Sequence, residues 1–239
     1  MSTLTLVRHG QATPFEDNPD RLSTLGQTQA RALGLYWLNN NVVFDEVYTG
    51  TLTRQQHTAQ LVGEVFQEAD QPWPTAQVMA EFDEYHVDVI WKQLAPELVK
   101  SNSSFAELFA AYQRNRNGPN HHRTFQLALE AVMRCWQEGT LVTGDVEGWT
   151  TFRDRVRQGI RHILEQEGSR RRVAVFTSGG PIGTTIQWAL NAPDQSALEV
   201  NWRVRNCSLT EFVFSRDRLT LDSFNALPHL EDQALWSYR

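Results

Sequence analysis

The sequence predicts an α/β fold, a three-layer α/β/α sandwich around a mostly parallel central sheet, with a helical insertion. Strand-like runs of β-branched residues and leucine alternate with helix-like runs whose apolar residues recur every three or four positions. This alternation is typical of a parallel sheet with helices on both faces. It is interrupted at about 91–140, where only helical spacing occurs, and it ends in two strand-like runs joined by a polar turn.

The first part of the chain contains three strand-like and two helix-like segments. The first strand is predicted to be buried because Thr3–Val7 contains only β-branched residues and leucine, and it stops before Gly10. Ser23 precedes an apolar-periodic run and is an N-cap signal for the first helix. The predicted segments are a strand at 3–8, a loop at 11–23, a helix at 23–38, a strand at 46–49, a helix at 52–68 and a short strand at 76–79.

The second part begins with the insertion, in which a polar break at 115–122 separates two or three predicted helices. After it we expect a helix at 152–166, a strand at 172–177, a turn at 179–181 into a helix at 182–190, and a hairpin of strands at 208–214 and 219–224. The basic run at 170–172 is interpreted as a solvated loop. No repeat or linker stands out, so the chain 1–239 is predicted to be a single domain, with 91–140 inserted as a cap over the pocket mouth.

Composition and charge exclude several classes of protein. The 239 residues are 41% hydrophobic, and 22 Lys and Arg against 28 Asp and Glu give a net charge of −6. This hydrophobic content excludes a disordered chain, and the acidic balance argues against nucleic acid or an anionic membrane as partner. No run approaches the about 18 apolar residues of a membrane span. Met1–Leu4 leads directly into the first strand, so no signal peptide is expected.

The two cysteines and the C-terminus carry weaker expectations. Cys135 and Cys207 lie in apolar stretches, and no Cys and His spacing typical of a zinc site occurs. A disulfide framework is therefore not expected, which favours a reducing compartment, the cytoplasm. The aromatic segment 235–239 indicates a docking or dimer surface, so the chain is a candidate homodimer.

Three strand ends carry groups that suit a phosphate ligand. The first strand ends in Arg-His-Gly at 8–10, and ligands of open α/β sheets bind outside the carboxyl ends of the strands. Arginine offers a planar fork of donors for phosphoryl oxygens, and a neutral imidazole can attack phosphorus. Arg54 stands at a helix start, and Ser-Gly-Gly at 178–180 forms a turn whose amides suit an anion. Each signal alone also fits a structural role: a salt-bridged strand end, a solvated helical arginine or a tight turn.

Together these segments resemble the histidine phosphatase superfamily, the phosphoglycerate mutase-like proteins. The matching elements are strand-Arg-His-Gly at 6–10, Leu-Ser-x-x-Gly-x-x-Gln-Ala at 22–30, a second arginine followed by Thr-Ala at 52–59, a strand with a Gly-Gly-Pro turn at 173–182, and Asn-x-Ser before a strand at 206–212. The resemblance covers roughly 3–84 and 147–225 and implies the phosphoglycerate mutase-like fold.

The resemblance implies phosphoryl transfer in two steps, without a metal or an organic cofactor. His9 would attack the phosphoryl group and become a phosphohistidine, which water would then hydrolyse. Arg8 and Arg54 would hold the phosphoryl oxygens, together with His9, Ser178 and Gly179. The expected activity is that of a phosphatase on a small phosphorylated metabolite.

The resemblance also requires a glutamate after a short strand that protonates the leaving group. Glu81 fits this place best, and Asp83 and Glu84 are close enough to compete. A solvated acidic loop is the plain structural alternative for this segment.

Two departures from the family pattern bear on activity. Ser178 stands where the family has a second histidine before Gly-Gly; it can donate a hydrogen bond but cannot carry positive charge. Because the nucleophile and both arginines remain, we expect reduced or altered activity rather than none. His86 is either a substitute for the missing imidazole or a plain surface residue. Phe15 stands where mutases of the family typically have asparagine, which favours a phosphatase over a mutase.

The main alternative is a catalytically silent protein of the same fold that binds a phosphate ligand, and a mutase is the second. A serine esterase with Ser178 as nucleophile would need glycine where Phe176 stands. A P-loop NTPase would need Gly-Lys-Ser or Gly-Lys-Thr after the turn at 178–180, and neither is present.

Overall fold

The computed structural model describes residues 1–13, 19–140, 144 and 146–238. The chain forms two compact units, one of Met1–Glu84 with Arg155–Arg239 and one of Tyr85–Asp154. The predicted insertion at 91–140 lies within the second unit, which begins six residues earlier and ends fourteen residues later. That the chain is a single domain stays a prediction.

The main unit is built on a sheet in which the described residues form six strands. Their bounds are β1 Ser2–Arg8, β2 Glu46–Thr49, β3 Gln77–Val78, β4 Arg172–Thr177, β5 Leu209–Ser215 and β6 Arg218–Ala226. The strand order is β3-β2-β4-β1-β5-β6. Neighbours from β3 to β1 are parallel, whereas β5 pairs antiparallel with both β1 and β6. The predicted mostly parallel α/β fold is confirmed.

The helices follow the predicted order, with differences of three residues at the starts of two helices and one additional helix. Their bounds are α1 Thr24–Asn39, α2 Thr53–Glu68, α3 Val87–Ser101, α4 Ser103–Arg114, α5 His121–Glu138, α6 Trp149–Glu165, α7 Gly179–Ala189 and α8 Gln195–Asn201. A short 3-10 turn covers Ala80–Phe82. Helix α6 begins three residues before its predicted start at 152. Helix α7 begins at Gly179, three residues before the predicted start at Ile182, so both glycines of the turn belong to its first turn. Helix α8 was not predicted.

Side chains on the two faces of the sheet enter two different cores, and this creates the three layers. Leu4 and Leu6 of β1 join a cluster with residues of α6 and α7, such as Ile160 and Ile186. Val7, on the opposite face, joins a cluster with residues of α1 and α2. Because successive side chains of a strand point to opposite faces, a strand covered by helices on both sides is apolar at nearly every position.

The second unit is helical and rich in aromatic contacts. Trp136 of α5 is 1% exposed, and its ring centroid lies 5.0 Å from that of Tyr85. Its indole Nε1 donates to Glu147 O at 2.9 Å, which satisfies the polar atom of a buried ring. His86, predicted to be either a substitute imidazole or a plain surface residue, is exposed and precedes α3.

The interpretation of the basic run at 170–172 as a solvated loop is wrong for Arg171. This side chain is 6% exposed, and its Nε and Nη2 lie 2.6 Å and 2.9 Å from the two carboxylate oxygens of Glu46. Its Nη1 also donates to Ile163 O at 2.7 Å. The arginine therefore joins β2 to the end of α6, which a local charge pattern does not reveal because both partners are distant in sequence.

The C-terminal aromatic residues contact the main unit of their own chain. The Trp236 indole donates to Leu230 O at 2.9 Å, and the Arg205 guanidinium lies 4.5 Å from its ring centroid. Tyr238 Oη accepts from Arg205 Nε at 3.2 Å. Both cysteines are buried and unbridged. No helix among the described residues combines the length and the apolar character needed to cross a membrane.

Candidate active site

The three strand ends that suit a phosphate lie at one edge of the sheet. In the parallel register, Arg8 at the end of β1 faces Thr177 at the end of β4, and Thr49 of β2 faces Phe176. His9 N donates to Thr177 O at 2.9 Å, which holds the residue after β1 against the end of β4. The chain then continues from β2 into α2 and from β4 into α7, so two helix N-termini also begin at this edge.

His9 is a buried imidazole with a defined proton position. It is 6% exposed, and its Nδ1 lies 2.7 Å from Gly10 O. A carbonyl oxygen only accepts, so this contact assigns the proton to Nδ1 and leaves the lone pair on Nε2. Arg54 Nε donates to that Nε2 at 3.1 Å. Burial first, and then the nearby Arg54 and Arg8 guanidinium groups, hold the pKa of His9 well below its ordinary value of 6.5. The imidazole is therefore neutral near pH 7.

Close backbone contact fixes the turn after β1. A Cβ placed on Gly10 would lie 2.4 Å from Gly26 O, and a Cβ placed on Gly26 would lie 2.2 Å from Gln11 O. Only glycine allows this approach of the turn to the first turn of α1. The N-cap predicted at Ser23 is present, since its hydroxyl oxygen accepts from Gly26 N at 3.0 Å. The two glycines of the matched motifs therefore allow the turn that carries His9 to pack closely against α1.

Three buried polar side chains hold the backbone around His9. They make hydrogen bonds from Asn206 Nδ2 to His9 O at 3.1 Å, from Gly10 N to Thr58 Oγ1 at 3.0 Å and from Gln11 N to Gln29 Oε1 at 2.9 Å. The first of these uses the asparagine of the predicted Asn-x-Ser segment. Each bond satisfies a backbone group that a buried turn would otherwise leave unpaired.

The two arginines are held in different ways. Arg54 is 19% exposed, and its Nη1 lies 2.6 Å from Asp20 Oδ1. The other oxygen of this carboxylate accepts from Thr53 N, the first amide of α2, at 2.7 Å. Asp20 thus binds both an arginine fork and a helix N-terminus, two groups that also bind phosphate. Arg8 Nη1 donates to Val204 O.

Ser178 lies at the end of β4 and is fully buried. Its Oγ accepts from Gln55 Nε2 at 2.9 Å. Gln55 directly follows Arg54 in α2, is itself fully buried, and was not predicted as a site residue. Gly179 opens α7 with its Cα against Asn201, since a Cβ placed on it would lie 2.0 Å from Asn201 Oδ1.

The three candidate acids have different surroundings. The carboxylate of Asp83 accepts from Thr51 N at 2.6 Å and from Thr51 Oγ1 at 2.5 Å, so both oxygens hold the turn after β2. Glu84 Oε2 accepts from Gly180 N at 3.0 Å, at the N-terminus of α7. The Cβ of Glu81 lies 2.7 Å from where a Cβ on Gly159 would be, so its stem faces α6. Of the three, Glu84 is the one whose carboxylate binds the amide of Gly180, two residues after Ser178.

Comparison with protein families gives one match over nearly the whole chain. The family model "Histidine phosphatase superfamily (branch 1)" matches residues 4–227. The chain belongs to the histidine phosphatase superfamily. No curated protein matches the sequence.

Several solved structures share the fold at low sequence identity. The alpha-ribazole phosphatase of Shigella flexneri is 22% identical with a TM-score of 0.60, and the match covers 94% of this chain and 96% of that one. Phosphoglycerate mutase from Bacillus anthracis str. Sterne is 19% identical with a TM-score of 0.63, covering 96% and 95%. Phosphoserine phosphatase from Entamoeba histolytica, in complex with 3-phosphoglyceric acid, is 20% identical with a TM-score of 0.61, covering 96% and 100%.

The structure brings most of the predicted site residues of this superfamily member together. Arg54 contacts His9 directly, and Arg8 acts on the His9 pKa by its charge. Ser178 follows the residue that accepts the His9 amide proton. Among the described residues, Glu81 makes no hydrogen bond to Arg8, His9, Arg54 or Ser178. Phe15, on which the preference for a phosphatase over a mutase rests, lies outside the described residues. Within the described ranges, no group of three or more His, Cys, Asp or Glu could hold a metal ion.

Sequence reasoning missed Gln55 and Asp20. Gln55 stands one residue after an arginine that was singled out, but a glutamine in a helix is usually exposed, so residue type gives no signal. Asp20 lies in a predicted loop, and its contact with Arg54 joins residues 34 apart. The signal that could have found it is the positive charge of the predicted arginines, which calls for a nearby carboxylate.

Proposed function

We propose that this member of the superfamily is a phosphomonoesterase that acts through a phosphohistidine on a small phosphorylated metabolite. The observation that carries the proposal is the buried neutral His9, whose Nε2 lone pair faces the Arg54 guanidinium. Membership of the superfamily supports phosphatase or mutase activity. Three of the solved neighbours are named as phosphatases of small phosphorylated compounds: alpha-ribazole phosphatase, phosphoserine phosphatase and glucosyl-3-phosphoglycerate phosphatase.

In the first step His9 Nε2 attacks phosphorus, a P–N bond forms, and the bond from phosphorus to the ester oxygen breaks. Nδ1 keeps its proton, and the Gly10 carbonyl stabilises the positive charge that develops on the ring. Arg8 and Arg54 bind the equatorial oxygens, where charge accumulates in the transition state. Asp20 holds one end of the Arg54 fork, so this arginine is oriented before substrate arrives.

The departing oxygen needs a proton, and we propose Glu84 as its source. Its carboxylate already accepts from Gly180 N in the first turn of α7, two residues after Ser178. Asp83 is the weakest candidate because both its oxygens bind Thr51. Glu81 remains the competitor that the family pattern favours.

In the second step water hydrolyses the phosphohistidine. Glu84, deprotonated after the first step, accepts a proton from the attacking water, and the water oxygen bonds to phosphorus. The P–N bond breaks, its electron pair returns to Nε2, and inorganic phosphate leaves. The roles assigned to His9 and the acid require no metal or organic cofactor.

Ser178 and Gly179 complete the proposed phosphate site with neutral donors. An imidazolium in place of Ser178 would add a charge-assisted hydrogen bond, and losing one donor of this kind typically costs about 10²–10³ in turnover. We therefore propose a working but slower enzyme. A mutase would in addition have to hold a second phosphate, and the sequence at 11–15 lacks the family's mutase pattern.

The experiment is release of para-nitrophenol from para-nitrophenyl phosphate between pH 4.5 and 8. The His9→Ala variant should lose release, whereas His162→Ala, which changes an exposed histidine of α6, should keep it. A base-stable phosphoryl label on the wild type that is absent from His9→Ala would identify the intermediate. Equal release by wild type and His9→Ala would reject the proposal.

The second candidate is a silent phosphate-binding protein, and the neutral Ser178 is the observation that favours it. Such a protein would be stabilised against heat by vanadate or inorganic phosphate, because both bind the folded state only. It would release no phosphate from a panel of phosphorylated metabolites. Release that disappears in His9→Ala would exclude it.

A further inference from the structure

Gln55 is fully buried and joins two segments of the candidate active site. Its Nε2 lies 3.0 Å from Phe82 O in the short turn after β3 and 2.9 Å from Ser178 Oγ at the end of β4. Phe82 O also accepts from Thr177 Oγ1 at 2.6 Å. A carbonyl oxygen only accepts, so it must face the NH2 end of the amide. The orientation of the Gln55 side chain is therefore determined.

This orientation decides what the Ser178 hydroxyl can do. Its oxygen accepts a proton from Gln55, so its own single proton must go to another acceptor. Ser178 is the N-cap residue of α7, yet its side chain accepts from no amide of that helix. Ser23, the N-cap of α1, does accept from its helix. Within the residues that the structure describes, no group within hydrogen-bond distance accepts the Ser178 proton.

The backbone at Ser178 adjoins a backbone contact of His9, the proposed nucleophile. Ser178 follows Thr177, which pairs with Arg8 in the sheet and accepts the amide proton of His9. We propose that Gln55 is a positioning residue that directs the Ser178 hydroxyl onto an equatorial oxygen of the bound phosphoryl group. A glutamine and a serine thus form the donor at a place where an imidazole would otherwise stand. This inference rests on the proposed function, since it concerns the same site.

A purely structural role for Gln55 predicts a different result. Among the described residues, its Oε1 has no hydrogen-bond partner, and it lies 2.0 Å from where a Cβ on Gly50 would be. An unpaired buried amide oxygen is unfavourable, and leucine of similar volume would remove it. If Gln55 only filled space, Gln55→Leu would preserve phosphate binding and turnover.

The test is a double-mutant cycle with two readouts, turnover of para-nitrophenyl phosphate and the dissociation constant of vanadate. Gln55→Leu, Ser178→Ala and the double variant are compared, with Gln56→Leu, at the exposed neighbour in α2, as the matched control. We expect each single variant to lose about tenfold in kcat and in vanadate affinity, and the double variant to lose no more than either single one. Gln56→Leu should match the wild type.

A second variant tests the direction of the proton. Gln55→Glu keeps the shape but offers a carboxylate, which accepts from the Ser178 hydroxyl and takes its proton away from the ligand. It should bind vanadate at least as weakly as Ser178→Ala. The melting temperature of each variant shows whether it is folded, and if Gln55→Glu does not fold, the leucine cycle alone decides.

The outcomes separate this inference from the proposed function. Additive losses in the cycle, or vanadate affinity unchanged in folded Gln55→Leu, would overturn the role of Gln55. If the wild type shows no turnover that depends on His9 but binds vanadate, the proposed function fails, and the vanadate cycle still decides the role of Gln55. A wild type that binds no vanadate would overturn both.

Discussion

Gly10→Ala tests how the turn after β1 holds His9, the proposed nucleophile. The new Cβ would lie 2.4 Å from Gly26 O, whereas real Cβ atoms stay at least 3.0 Å from such atoms, so the two backbones must separate by about 0.6 Å. Both partners are backbone, and neither can rotate away. The shift moves His9 relative to Arg54, and a displacement approaching 1 Å can cost about 10²-fold in rate. We expect a loss of turnover between tenfold and a hundredfold.

The same substitution should also destabilise the fold. Forcing an extra methyl into a closely packed contact typically costs about 1–3 kcal/mol. Gly118→Ala is the matched control, because its Cβ would meet nothing closer than 3.6 Å. Turnover of the best substrate and urea unfolding should be measured on both variants. A folded Gly10→Ala protein with wild-type kcat would refute the argument that this contact sets the position of the nucleophile.

Three further predictions concern titrating groups. Glu84→Gln should reduce kcat for a substrate with a poor leaving group by about 10²–10⁴ and spare para-nitrophenyl phosphate, whose leaving group needs little protonation; if Glu81→Gln gives this split instead, the acid is Glu81. Arg171→Met should cost about 2 kcal/mol in unfolding free energy, less than a fully buried pair because Glu46 is partly exposed. Burial raises the pKa of Glu46, but hydrogen bonds from Arg171 prevail and lower it from 4.5, so this stability is present above pH 4.5 and lost at lower pH as the folded carboxylate protonates. The pKa of His9 is lowered because burial and two arginines disfavour its protonated form in the folded state. Below pH 6.5 the unfolded state therefore binds a proton that the folded state does not, and the unfolding free energy of the wild type falls. His9→Gln should show a smaller fall of the unfolding free energy over the same pH range, measured by urea unfolding.

The fold was predictable because burial on both faces leaves a strong signal in parallel strands. β2 and β4 lie at the predicted residues, and β1 differs by one position. Gly-Gly-Pro at 179–181 has low helix propensity, so the start of α7 was predicted too late. The short helix α8 follows Pro193 and has only seven residues, too few for an apolar period to stand out.

The candidate site was predictable where its residues share a motif and not where they meet only in space. Arg8 and His9 are adjacent, and Arg54 starts a helix, so each shows its chemistry locally. Asp20 gives no local signal because its importance comes from the Arg54 contact, which the loop sequence does not encode. Arg171 was misjudged for the same reason: a basic run looks solvated until the partner of each charge is known.

The predicted departure from the family pattern at Ser178 has to be interpreted together with Gln55, a hydrogen-bond partner 123 positions away. Read alone, serine in place of an imidazole suggests a weakened site, because a hydroxyl carries no charge. A serine hydroxyl also rotates freely, and an undirected donor stabilises a phosphoryl oxygen less than a fixed one. Gln55 limits this rotation because its Nε2 donates to the Ser178 oxygen. The Phe82 carbonyl in turn fixes the orientation of the Gln55 amide, because it accepts from the same Nε2. A neutral donor that is already oriented costs no reorganisation in the transition state, so the chain offsets part of the lost charge by preorganisation.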